Sequence, residues 1–369
     1  LHEHARKAAI AEAQPVHESE GERMMNDVAS PRADQVERST QATTLHRHAG
    51  MRAAARGAPR LAGLVTEIAF AAKVVARETR QAALTGRLGI VGSANASGDT
   101  QKELDVLANR IFLDSLDASG LVAAVVSEEL EGVELQHCDG EAEYLVCLDP
   151  VDGSSNLKVG TSLGSIFGIY RRTRRGNCTD IEQELLNEAT LIASGYVLYG
   201  AATAFVYTLG EGVDGFVLDQ GIGEFLLSHP NIRCPHSGDR YSINTGNSHL
   251  WEPGVANFVG HLNEVSPETG RPCTLRYSGA LMADLHRILL EGGIYCYPAD
   301  REHPEGKLRL LYEAAPLGLL VEAAGGRASS GRERIIEVPR RSLHQTTPLA
   351  LGSAADVATY ERFLAGAAG

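Results

Sequence analysis

A short apolar run, Tyr144-Leu145-Val146-Cys147-Leu148, ends abruptly in Asp149-Pro150-Val151-Asp152-Gly153-Ser154-Ser155-Asn156. The run predicts a buried strand. Proline, glycine and small hydroxyl residues then predict a turn. Two carboxylates therefore emerge at the carboxyl end of a strand, where open α/β sheets place their ligands. Their hard oxygens suit Mg²⁺ or Mn²⁺. Gly153, Ser154 and Ser155 let backbone N–H groups approach a phosphate closely. A plain turn explains the proline, glycine and serines, but not two acids at the mouth of an apolar strand. The segment points to metal-assisted phosphate chemistry.

A chain of 369 residues exceeds one ordinary core, so two domains are expected. Residues 1–42 are polar and of mixed charge, without apolar periodicity or a signal-peptide core. They are expected to be a disordered or adventitious extension. An N-terminal α/β domain carrying the acidic motif is expected over 43–230, and a C-terminal α/β substrate domain over 231–369. No apolar run reaches the ~18 residues that span a bilayer, so no membrane partner is expected. A net charge of −13 argues against nucleic acid as a partner. The six cysteines form no Cys-x-x-Cys pair. Cys147 and Cys296 read as core residues, and a reduced, cytoplasmic setting is expected rather than disulfides.

Three further groups of acids stand out. Glu128 and Glu129 follow the strand expected over Gly120–Val126. Adjacent glutamates usually mark a solvated surface, but these end a second buried strand. Gathered acids repel one another unless a cation sits among them. Glu313 closes Lys307-Leu308-Arg309-Leu310-Leu311-Tyr312-Glu313, a segment expected to be helical and to kink or restart at Pro316. Alone it would be a surface acid. Asp99 and Asp105 lie on a small-residue loop over 89–98 and the helix it opens. The bland reading is a helix cap and an exposed helix acid. The functional one is a loop whose carboxylates position or deprotonate water. There is no His-Glu-x-x-His and no phosphate loop of the Gly-x-x-x-x-Gly-Lys-Ser/Thr type.

Taken in order, these segments resemble class 1 fructose-1,6-bisphosphatase from about Thr44 to Phe363. The resemblance rests on the stretch from Gly98-Asp99 to Asn109, Ser127-Glu128-Glu129, Asp149 to Asn156 and Ile166-Phe167-Gly168-Ile169-Tyr170. It continues through Tyr241-Ser242-Ile243-Asn244, Arg276-Tyr277-Ser278-Gly279 and Gly306 to Glu313. Asp-Pro-x-Asp-Gly-Ser/Thr-Ser/Thr-Asn alone is shared by the wider lithium-sensitive phosphatases; the ordered set is more specific. The resemblance implies a two-domain layered αβαβα sandwich, a homotetramer, and hydrolysis of the 1-phosphate of fructose 1,6-bisphosphate. It implies two or three Mg²⁺, or Mn²⁺, per subunit.

By matching positions, Glu128, Asp149, Asp152, Glu313 and the carbonyl of Val151 look like metal ligands. Asp99, Asp105 and Glu129 match acids that help activate water. Gly153, Ser154 and Ser155, with Asp152, would meet the transferred phosphate. Asn244, Tyr277, Tyr295, Tyr297 and Lys307 resemble the substrate-binding set, and Arg276 resembles an arginine that reaches a neighbouring subunit's substrate.

Two departures from the family's pattern matter, and a third position distinguishes its branches. Glu143-Tyr144 replaces the Lys-Tyr of AMP-sensed relatives, which argues against AMP inhibition. Cys178 alone stands where plastid relatives carry a multi-cysteine insertion, which argues against disulfide switching. Asn247 stands where some animal relatives have tyrosine and bacterial ones often have asparagine. The alternatives are a sedoheptulose-1,7-bisphosphatase or dual enzyme, an inositol-monophosphatase-like activity, and a non-catalytic sugar-phosphate sensor. The sequence leaves open whether the pathway is gluconeogenesis or carbon fixation.

Overall fold

The long apolar face of the first helical region governs how the chain begins to pack. A computed structural model describes residues 42–366, apart from 86–89, 95–99, 139, 141, 175 and 177. The elements belong to the unit Thr43–Gly369. The expected extension lies outside the described residues except for its last position. Helix α1 (Leu45–Ala55) is capped by Thr44, whose hydroxyl accepts the Arg47 N–H. Helix α2 (Pro59–Thr85) begins on a proline, which suits a first turn that has no use for its N–H. It buries Leu61, Leu64, Val65, Ile68, Ala72 and Val75, at helical spacing. Helix α3 (Glu103–Ala118) packs beside it.

The small-residue stretch ahead of α3 was expected to be a loop. Instead β1 (Ile90–Ala94) pairs antiparallel with β2 (Thr100–Lys102). The intervening Asp99 lies outside the described residues.

An eight-stranded sheet follows. Its strands are β3 (Val122–Ser127), β4 (Val133–Leu135), β5 (Tyr144–Asp152), β6 (Leu163–Arg171), β7 (Thr190–Tyr199), β8 (Thr203–Thr208), β9 (Val213–Asp219) and β10 (Glu224–Ile232). Their spatial order is β10-β9-β8-β7-β6-β5-β3-β4. Only β3 and β5 run parallel; every other neighbouring pair is antiparallel. Helix α4 (Ile181–Asn187) links β6 to β7. Pro230, expected near a break in the chain, lies within β10, and it is tolerated there because β10 is an edge strand.

A second sheet takes the order β12-β11-β13-β17-β15, formed by β11 (Arg240–Ser242), β12 (Thr274–Leu275), β13 (Ile294–Tyr297), β15 (Arg327–Ser329) and β17 (Leu349–Gly352). A short ribbon joins β14 (Leu308–Arg309) to β16 (Thr346–Thr347). Helices α6 (Leu281–Glu291) and α7 (Ala315–Ala323) touch both large sheets and fill the space between them. Helices α5 (Pro253–Asn263) and α8 (Ala354–Leu364) cover the outer side of the second sheet. The layers therefore run helix, sheet, helix, sheet, helix, as the αβαβα expectation has it. Separate apolar cores lie under α1–α3, around α6 and α7, and under α5 and α8.

The cysteines require a correction. Cys138 and Cys178 form a disulfide across 40 residues, joining the segment before β5 to the segment after β6. Cys147, Cys234 and Cys296 are free and buried, and Cys273 is free and partly exposed. Spacing in sequence could not reveal the pair, because the β5–β6 hairpin brings the two segments together.

Candidate active site

The parallel pair β3 and β5 sets the position of the acids. Ser127 lies opposite Leu148, so both strands end at the same edge of the sheet. Glu128 and Glu129 follow β3 there, and Asp149 and Asp152 belong to the last turn of β5. The β5–β6 ladder breaks between Asp149, opposite Ile166, and Asp152, opposite Gly164. Three steps on β5 thus face two on β6, a bulge of the kind that re-aims side chains. Pro150 cannot donate to the ladder. The Asp149 Oδ1 accepts the Val151 N–H at 3.0 Å, and the Ser165 hydroxyl donates to the Pro150 carbonyl at 2.6 Å.

Gly153, at φ 74°, then opens a 3₁₀ turn over Ser154–Val159. The Asn156 amide donates to the carbonyls of Ser162 and Gly279, which ties this turn to the approach of α6. At Gly164 a Cβ would lie 2.2 Å from Met282 Cγ, so its absence lets the first turn of α6 sit against β6.

Glu313 arrives from the other half of the chain. The segment expected to be helical from Leu308 is a short strand and then a π-turn over Leu310–Ala314. Pro316, which cannot make the i→i−4 bond, stands in the first turn of α7, as the restart expectation has it. The Glu313 carboxylate accepts the Arg309 N–H.

Asp149, Asp152 and Glu313 each offer a carboxylate oxygen, and these oxygens lie within 4.8 Å of one another. Asp149 and Glu313 are buried. The Asp152 Oδ2 is buried too and has no hydrogen-bond partner among the described residues. Burial pushes the Asp149 carboxyl well above the usual range, and the charges of Glu128, Asp152 and Glu313 push it further. The Glu128 side chain, close to that of Asp149, pushes it the same way. Asp152 is pushed up to about 7 by burial and then by Glu128, against a hydrogen bond from the Met282 backbone. Glu313 is raised by burial and then by Glu128. Converging hard oxygens, one orphaned and all electrostatically strained, fit a divalent cation.

Of the water-activating candidates, Glu129 directly follows Glu128, Asp105 lies on α3, and Asp99 lies outside the described residues. The Glu129 N–H is held by the Ser127 hydroxyl at 3.3 Å, which in turn donates to Asn109 at 2.8 Å. Asp105, one turn before Asn109 on α3, is 3% exposed, so it is not a surface acid.

Asn244, Arg276, Tyr277, Tyr295 and Tyr297 lie on or just after strands of the second sheet, whereas Lys307 precedes β14 of the short ribbon and Gly153, Ser154 and Ser155 follow β5. Tyr295 on β13 is buried and lies near Asp152, Tyr277 and Tyr297, all of which raise its hydroxyl pKa after burial does. Tyr297 also feels Glu313. Asn244 and Tyr297 line a cleft with Ile243, Asn247, Trp251 and Pro298. The Asn244 side chain accepts the Gly246 N–H. Arg276, Tyr277 and Lys307 are exposed, and Arg276 also donates to the Leu275 carbonyl. Asp152 and Tyr295 thus join the acidic half of the site to the tyrosine half.

Sequence reasoning missed Asp284. It is buried on α6, accepts the Ser242 hydroxyl and the Ser278 N–H, and adds its charge to those raising Asp152. The available signal was an acid on the apolar Leu281, Met282 and Leu285 face of an amphipathic helix.

Residues 42–230 match the family model described as fructose-1-6-bisphosphatase, N-terminal domain, and residues 234–365 match its C-terminal domain. The chain is 53% identical over 302 residues to a class 1 fructose-1,6-bisphosphatase of Acaryochloris marina, covering 82% of this chain and 90% of that protein. It is 47% identical to one from Sorangium cellulosum, covering 82% of this chain and 87% of that protein. A crystal structure of Leishmania major fructose-1,6-bisphosphatase in holo form superposes with a TM-score of 0.81 at 39% identity. That match covers 88% of this chain and 99% of the Leishmania chain.

Proposed function

This chain belongs to the fructose-1,6-bisphosphatase family, and from that premise we propose that it removes the 1-phosphate of fructose 1,6-bisphosphate in a metal-dependent hydrolysis. The observation that carries the reading is the meeting of Asp149, Asp152 and Glu313, with a buried Asp152 oxygen left over. Glu128 and the Val151 carbonyl complete the proposed ligand set. Two or three Mg²⁺ or Mn²⁺ ions per subunit would supply charge neutralisation of the phosphoryl oxygens and polarisation of the attacking water.

The chain's own residues do the positioning. Gly153, Ser154 and Ser155 present the turn to the phosphate, whose charge the acids alone would repel. Glu129 and Asp105, with Asp99 from the β1–β2 segment, orient the water or take its proton. Tyr277, Tyr295 and Tyr297 frame the sugar, and Asn244 and Lys307 hold its second phosphate. Such placement is most of what a protein contributes to phosphoryl transfer.

We also propose a homotetramer. Its support is the exposure of Leu275, Arg276 and Tyr277 in one run, from which Arg276 would serve a neighbouring subunit's substrate. Two domains meeting near residue 230 are proposed because the large sheet ends at Ile232 and the smaller one starts at Arg240. Among the described residues no helix is long and apolar enough to cross a membrane. We place the enzyme in the cytoplasm, a compartment whose thiols would tend to reduce the Cys138–Cys178 bridge.

Phosphate release from fructose 1,6-bisphosphate and sedoheptulose 1,7-bisphosphate, with and without Mg²⁺, tests the assignment. Mg²⁺-dependent release with the higher kcat/KM for the fructose sugar is expected. Binding of either sugar without release of phosphate would overturn it.

A further inference from the structure

The segment 339–347 lies outside every motif described above, yet it holds the turn that carries Glu313. Its Gln345 carbonyl accepts the Leu310 N–H at 2.8 Å, and its His344 carbonyl accepts the Arg309 guanidinium at 2.7 Å. The His344 ring does more. Its Nδ1 lies 2.9 Å from the Tyr312 hydroxyl, and its Nε2 lies 3.1 Å from the Glu131 carbonyl. A carbonyl only accepts, so Nε2 carries a hydrogen; in the neutral ring Nδ1 then accepts from Tyr312. Tyr312 is fully buried, next in sequence to Glu313, and lies within the fields of Glu128, Glu313 and Asp149. Glu131 belongs to the loop that leaves Glu128 and Glu129. One imidazole therefore spans the two separate segments that bring acids to the cluster from β3 and from the π-turn.

We infer that His344 is a positioning residue of the metal site, fixing the spacing between the Glu128–Glu129 turn and the Glu313 turn through its bonds to Glu131 and Tyr312. It touches neither substrate nor cation. The inference rests on the acidic cluster being a metal site, as proposed above. Outer residues that orient metal ligands have measurable effects on affinity even though they never meet the ion.

The test is calorimetric titration of Mn²⁺ into the metal-free enzyme, alongside steady-state kinetics at saturating Mn²⁺. His344→Ala should weaken Mn²⁺ binding about 10-fold. The KM for fructose 1,6-bisphosphate at saturating Mn²⁺ should stay unchanged. Tyr312→Phe deletes a single oxygen and keeps the fold within reach if His344→Ala does not express. It should weaken Mn²⁺ in the same direction, and the double variant should lose no more than the worse single one. His344→Gln, which can still donate towards Glu131, should recover part of the loss. Wild-type Mn²⁺ uptake with unchanged affinity in both His344→Ala and Tyr312→Phe would overturn the inference alone. A wild-type enzyme that takes up no Mn²⁺ would overturn the metal site and the inference together.

Discussion

A carboxylate oxygen of Asp152, at the end of β5, lies within 4.8 Å of one on Glu313, which reaches it from a π-turn in the other half of the chain. The buried Oδ2 of Asp152 has no hydrogen-bond partner among the described residues. The structure thus concentrates negative charge where solvent cannot disperse it. Such a site is stable only with protons or cations in it.

Removing one of these charges should separate catalysis from folding. Asp152→Asn keeps the shape and deletes the charge. Turnover with Mg²⁺ should fall by at least ~100-fold. The melting temperature of the metal-free protein should hold or rise, since a repulsion has been relieved. Steady-state kinetics and thermal unfolding of the same preparation check both halves.

The metal-free protein should also lose stability as pH rises. Asp149, Asp152 and Glu313 titrate above ordinary carboxylates, with Asp152 pushed up to about 7. Between about pH 4 and that value the folded state holds protons that the unfolded state has released. Their stabilising contribution is complete below the unfolded pKa and disappears as pH climbs through the folded one. Thermal unfolding in a chelator from pH 5 to 8 should show a falling midpoint, and saturating Mg²⁺ should flatten it.

The Cys138–Cys178 bridge closes a loop that contains the whole β5–β6 hairpin and the acidic turn at its tip. For a separation of 40 residues, chain entropy alone allows a contribution of about 4 kcal/mol. Cys178→Ser should lower the denaturation midpoint accordingly, and reductant should lower that of the wild type but not of the variant. Urea unfolding of both proteins, oxidised and reduced, measures this.

AMP should not inhibit. Glu143, at the start of β5, is 3.5 Å from Arg60 of α2. A carboxylate there repels a phosphate, and its pairing occupies a nearby guanidinium. Phosphate release measured with AMP added should match release without it. A cooperative loss of activity would show that the departure at Glu143 does not govern this response.

The legible parts of the sequence were those with local causes. The β5 run, its acidic turn and the restart at Pro316 all follow from neighbouring residues. So does the placement of Glu128 at the end of β3. What was hidden depends on packing between distant segments. Asp284 reads as an ordinary helix acid until α6 is set against β11 and the Ser278 turn. Cys138 and Cys178 look unrelated until β5 and β6 pair. Ile90–Ala94 reads as a loop because its small residues carry no strand periodicity, and only pairing with Thr100–Lys102 makes it a strand. His344 gave no signal at all, since its role comes from two partners on different elements.

Anomalous diffraction from crystals grown with Mn²⁺ decides whether divalent ions hold these acids together. The account predicts Mn²⁺ peaks bounded by the carboxylates of Asp149, Asp152 and Glu313, with Glu128 at the same centre. Those carboxylates turned apart, with no anomalous density between them, would contradict it.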